Sequence, residues 1–257
     1  MINSTSAGQE YLVSASDLMA SLIFVFIITL LIFVLRLQTV TISMQSAEDT
    51  QAVILQLVAK SLEENGLEVE VVPDQGILRL TSSSVNFAFG ATDPIPEHVP
   101  RVELIGRVML EVLPCFVNPP TDSTCEGLDV DRGRYTALLS TVLIEGHTDA
   151  APVGTANRFR DNVELSGLRA ASVHRVLRTS YPTIDSVLVR PGERRERILS
   201  ISGYGAQRLI PNVDPLSEVQ RRIDLRFLME PFQGVNPVPG VNPVTDAVRD
   251  QLGSSGG

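Results

Sequence analysis

No tryptophan occurs in the 257 residues, histidine appears three times and cysteine twice. The missing tryptophan removes the usual interfacial anchor of a membrane segment, although Tyr11 stands at one end of the longest apolar run. So few imidazoles and thiols, none at ligand spacing, leave no metal-binding motif to read. Nucleophile-elbow and phosphate-loop signatures are also missing, and His147 beside Thr148 reads as structural rather than catalytic. We therefore expect no enzyme, no catalytic residue, no metal and no cofactor. Positive charge is short as well: 21 Lys and Arg against 30 Asp and Glu leave a net −9. That balance argues against nucleic acid and against a basic patch on anionic lipid. No Lys or Arg precedes Arg36, so the basic start of a signal peptide is lacking, and the apolar stretch outruns a usual signal core.

What is there begins with that stretch. From Leu18 to Leu35 eighteen residues carry no charge, spanning roughly 27 Å as a helix; starting at Leu12 gives about 36 Å, enough to cross a bilayer. On the longer reading Asp17 lies inside the membrane, where an acid marks an ion or proton path. On the shorter one Asp17 caps a helix starting at Leu18. Charge and cysteine disagree about the side taken by the rest of the chain. Arg36 after the span weakly places it in the cytoplasm. Cys115 and Cys125, in a polar Pro-rich segment, read as a loop-closing disulfide of an oxidising compartment, the alternative being two free thiols. We side with the cysteines.

The chain divides into a tail (1–11), a transmembrane helix (12–37), a helical connector (38–66), a folded domain (67–230) and a Pro- and Asn-rich flexible tail (231–257). In the connector Met44, Ala47, Ile54, Val58 and Leu62 approximate a helical stripe ended by Asn65-Gly66. The domain alternates strands and helices: a hairpin of Leu67–Val72 and Ile77–Thr81, helix Pro100–Leu113, strand Thr141–Glu145, helix Asn162–Arg178, then strands Ile198–Ser202 and Ile223–Leu228. The expected class is α+β, one mixed sheet under two helices. Val163, Ser166, Ala170, Val173 and Leu177 should face the sheet, with Asn162, Leu165 and Arg169 on a neighbouring line.

At the second helix, Thr148-Asp149 at a strand end precedes NVELSGLRAASV (Asn162 to Val173). This resembles the OmpA-like peptidoglycan-binding domain, whose hallmark is TD followed by N-x-x-L-S-x-x-R-A-x-x-V. GYGAQRLIP (Gly203 to Pro211) and QRRIDLRF (Gln220 to Phe227) resemble its closing strands. The resemblance implies a peptidoglycan site of Thr148, Asp149, Asn162, Leu165, Ser166, Arg169 and Arg222, in which the acid and arginine hold the stem-peptide diaminopimelate. Arg169 can grip a carboxylate through two parallel N–H bonds while Asp149 accepts from an amine; a structural Asp149–Arg169 salt bridge is the alternative. The loop from Ala150 to Asp161 is long for the family.

A single N-terminal span with an acid, joined to such a domain, is similar to the layout of MotB-type stator subunits. In that family Asp17 would be the ion carrier, for H+ or Na+. The chain would sit in a bacterial inner membrane, N-terminus cytoplasmic and C-terminal domain periplasmic. Its partner would be a MotA-like multi-span subunit forming a ring, of five copies, around a dimer of this chain. The missing basic tail and the Cys-bearing insertion depart from flagellar stators. SDLMASLIFVFIITLLIFV (Ser16 to Val34) resembles most the stator-like subunits of Zorya anti-phage systems, which implies cytoplasmic defence effectors reached through the ring. A flagellar stator and a passive envelope tether stay open.

Overall fold

The computed structural model describes residues 4–117, 137–153, 159–190 and 196–230; Cys125 and the expected tail 231–257 lie outside them. One helix, α1, runs unbroken over Ser4–Glu64. The chain to Gln45 and the compact unit from Ser46 onward are separate units. In the first, Ser16–Gln38 is long and apolar enough to cross a membrane, and none of it is buried. Because the helix begins at Ser4, Asp17 does not cap it; the acid is the second residue of the apolar stretch, inside a formed helix.

The second unit starts earlier than the sequence pattern indicates. Ile54, Leu55, Val58, Ala59 and Leu62 are buried in the main core, so this end of α1 packs into the domain, where the expected boundary fell at Leu67. Met44, from the same expected stripe, is 56% exposed. Periodicity identifies an apolar face and is silent about what covers it. The helix stops where the Leu67 N–H turns back to the Leu62 carbonyl at 2.9 Å.

The hairpin follows as β1 (Val69–Val72) and β2 (Ile77–Leu80), joined by a single 3-10 turn at Pro73–Gln75. Then come α2 (Val99–Val112), a short α3 (Pro114–Val117), β3 (Leu138–Gly146) and α4 (Asn162–Ser180). A short α5 (Ile184–Val187) and a small ladder of β4 (Val189–Arg190) with β5 (Glu196–Arg197) precede β6 (Leu199–Gly203) and β7 (Ile223–Glu230). The sheet order is β1-β2-β7-β3-β6. Only β3 and β6 run parallel, and the other neighbours are antiparallel. The domain is α+β with a mixed sheet. α3, α5 and the β4–β5 ladder were not expected, being too short to carry a periodic signal.

Alternation sorts β7. Ile223, Leu225 and Phe227 are buried in the core with Leu78, Leu80, Val142 and Ile144, while Asp224 and Arg226 point to the other face. On α4, Ser166, Ala170, Val173 and Leu177 are buried as expected, but Val163 is 39% exposed. The start of α4 presses on the ends of β3 and β6. A Cβ at Gly146 would overlap the Ser166 carbonyl, and one at Gly203 the Gly167 backbone nitrogen. Small residues on both sides let backbone meet backbone there, and this brings the end of β3 to the start of α4.

Candidate functional site

Beyond Gly146 the chain leaves the sheet through His147, Thr148 and Asp149, all buried. Two loops hold this segment. The Thr148 N–H donates to the Gly205 carbonyl at 3.0 Å and the Ala150 N–H to the Pro215 carbonyl at 2.8 Å. Asp149 Oδ1 accepts from the Ala151 N–H at 3.2 Å, and Oδ2 accepts from Arg221 Nη1 at 2.9 Å. Asn162, first residue of α4, ties the loop down by donating from Nδ2 to the Ala151 carbonyl at 3.0 Å. Asp161 caps the helix through the Glu164 N–H at 2.8 Å, and the Glu164 carboxylate returns to the Arg160 N–H at 2.7 Å.

Ser166 and Leu165 shape the site from behind. Ser166 Oγ donates to the Val163 carbonyl and accepts from the Gly205 N–H, each at 2.8 Å, and Leu165 is buried. Arg169 behaves differently from the expected projecting guanidinium. It is 1% exposed, with Nε donating to the Ala91 carbonyl at 2.9 Å and Nη2 to the Ala88 carbonyl at 3.4 Å. Its guanidinium lies 5.0 Å from the Phe87 ring centroid. Burial, with the nearby Arg221 charge, lowers its pKa to about 10 against the pull of Asp149, so it stays cationic at neutral pH. The alternative, an Asp149–Arg169 salt bridge, does not form: the acid takes Arg221, and Arg169 takes a backbone turn.

Arg221 is the residue that sequence reasoning missed, and Arg222 the one it misplaced. Arg222 Nε donates to both Asp224 oxygens, at 3.2 and 3.1 Å, and Nη2 to the Arg208 carbonyl at 2.9 Å. The signal was present: extending the alternation of β7 backward puts Arg222 on the face of Asp224, which leaves Arg221 to turn towards Asp149.

That opposite face carries a second cluster. Glu145 and Asp224 are directly paired across β3 and β7, a destabilising arrangement for like charges unless neutralised. Arg226 clamps Glu145 through Nε at 2.6 Å and Nη2 at 3.0 Å; Arg79 joins Asp224 at 3.3 Å and Glu70 at 2.9 Å. Burial is the main cause that raises the Asp224 pKa, with the two arginines opposing it. Burial foremost, then the Arg222, Arg208, Arg79 and Arg226 charges, lowers the His147 pKa to about 3, so the imidazole is neutral. It stacks on Tyr204 at 5.7 Å, and Arg208 covers that tyrosine at 3.7 Å. Glu145, His147 and Asp224 bring donor atoms within 4.8 Å of one another. The surrounding guanidiniums already occupy both carboxylates, and their charge repels a cation.

Of the remaining expected residues, Thr148 Oγ1 is buried without a partner, and Asp17 is exposed on α1. Cys115, half-buried against the core, is disulfide-bonded.

No family model and no curated protein matches the chain. Similar solved structures include a MotB-like protein from Desulfovibrio vulgaris, 20% identical, covering 73% of this chain and 98% of that one at a TM-score of 0.44. The periplasmic domain of Helicobacter pylori MotB is 16% identical and covers 72% and 90% at 0.41. The cell wall anchor of the T6SS from Pseudomonas aeruginosa is 17% identical and covers 69% and 97% at 0.42.

Proposed function

We propose that this chain is a peptidoglycan-anchored stator subunit of an ion-driven rotary motor in the inner membrane, serving anti-phage defence of the Zorya type. One observation carries the wall-binding part. Thr148 Oγ1, Arg169 Nη1 and Arg221 Nε are buried without hydrogen-bond partners. Arg221 is bonded to Asp149, and Arg169 feels the charge of both. Each such orphan costs about 1–3 kcal/mol, and native folds keep few without a reason. A zwitterionic amino-acid head group supplies what is missing. Its ammonium goes to Asp149 and its carboxylate to the free guanidinium donors. The diaminopimelate of a peptidoglycan stem has that head group.

The motor part rests on Asp17, an acid within a helical apolar stretch. Protons or sodium ions pass by loading and unloading this carboxylate, inside a five-fold ring of a MotA-like partner around two copies of the chain. The domain beyond the span then faces the periplasm, and the ring passes its rotation to cytoplasmic effectors. Asp17→Asn keeps size and hydrogen bonding but cannot cycle a proton. It should assemble with the partner, keep binding sacculi and abolish phage protection. Full protection at wild-type expression would leave only a passive tether.

A further inference from the structure

Phe89 is 73% exposed, more than any large apolar side chain of the membrane-length stretch, whose highest value is 72% at Leu22. Single exposed apolar residues are common on soluble domains. What sets this one apart is its support. The Ala91 N–H closes a turn on the Ala88 carbonyl at 3.0 Å, with Gly90 at φ 69° making the reversal. A backbone bond from the Ile95 N–H to the Asn86 carbonyl at 3.0 Å braces the base of the loop. Arg169, the buried arginine of the wall site, then donates to both carbonyls of the turn, while Phe87 lies under its guanidinium. Two of the donors of a site residue are thus committed to holding the four-residue turn that carries an aromatic ring out into water.

We propose that Phe89 is a ligand-contact residue of the wall site, packing its ring on a saturated C–H face of the ligand next to the head group. This rests on the wall-binding reading above. Two parts of peptidoglycan present such a face: the methylene chain of the diamino acid and the ring of an amino sugar. Either packs on an aromatic face without needing hydrogen bonds from it.

The test uses the full chain in detergent with purified sacculi, the free stem tripeptide, and the disaccharide tripeptide. Phe89→Ala should weaken sacculus binding about fivefold, and Phe89→Trp should hold it within about twofold of wild type. Equal loss on both soluble fragments assigns the contact to the methylene chain, and loss confined to the disaccharide fragment assigns it to the sugar. Wild-type binding by Phe89→Ala beside lost binding by Asp149→Ala would overturn the contact and leave the anchor standing. Wild-type binding by Asp149→Ala would overturn the anchor itself.

Discussion

Glu145 and Asp149 lie four residues apart, both buried and both met by arginine, yet they sit in unlike surroundings. Around Glu145 the carboxylate is clamped from two nitrogens of Arg226, with Arg208 at 3.5 Å, and its cross-strand neighbour Asp224 is held by Arg222 and Arg79. Around Asp149 a single guanidinium arrives, and donors on Arg169 and Arg221 have no partner. In the first cluster the charges answer one another, so the network supports the sheet. In the second, buried donors stay unpaired, and the proposed head group would be what satisfies them. The distinction lies in the guanidiniums: in the first cluster the buried atoms without a partner are the ring nitrogens of neutral His147, whereas in the second they include cationic donors.

The sharpest way to break this comparison is to remove one partner from the closed cluster. Asp224→Ala leaves Arg222 and Arg79 buried without their acid, and should lower unfolding stability by about 3–5 kcal/mol. Denaturant titration reads this directly. A loss under about 1 kcal/mol would show that the closed cluster does not support the fold. At the open cluster the expected effect shifts from stability to binding. Arg169→Ala should weaken sacculus binding at least tenfold, on the order of 1.5–3 kcal/mol; unchanged pull-down by the folded variant would sink the wall reading. The effect that is smallest per step, one pH unit at a time, concerns His147, held neutral in the fold. Its pKa of about 3 lies below the ordinary 6.5, so the unfolded chain takes up a proton that the native state refuses. Stability from this group is complete above about pH 6.5 and falls with acidification by about 1.4 kcal/mol per unit, down to about pH 3. Comparing thermal melts of wild type and His147→Gln across that range should show a steeper acid loss in wild type, on top of the carboxylate titration common to both; parallel profiles would remove His147 from the closed cluster's electrostatics.

Much of this architecture was legible in advance. The main strands and helices appear where alternation and helical spacing place them, because burial of one face imposes a period that survives in the sequence. The helix carrying Asn162, Ser166 and Arg169 begins at Asn162 as expected, since Asp161 and Glu164 are a local capping signal. The membrane-length stretch needed no fold to be seen. Its composition alone is sufficient, because a helix able to cross a bilayer needs about 20 predominantly apolar residues in a row.

Other features depended on contacts far apart in the chain. That the end of α1 belongs to the domain core, that Arg221 rather than Arg222 meets Asp149, and that Arg169 turns inward to the Ala88–Ala91 turn are matters of which loop reaches which strand end. Asp149 and Arg221 are 72 residues apart, and Arg169 lies 78 residues from the Ala91 carbonyl it holds. Periodicity reports the face a side chain takes on its own element, whereas its partner is set by how elements pack. The charged residue types near the end of β3 and the start of α4 could therefore be read from the chain. Which of their donors find a partner was settled only when the sheet, α4 and the surrounding loops closed around them.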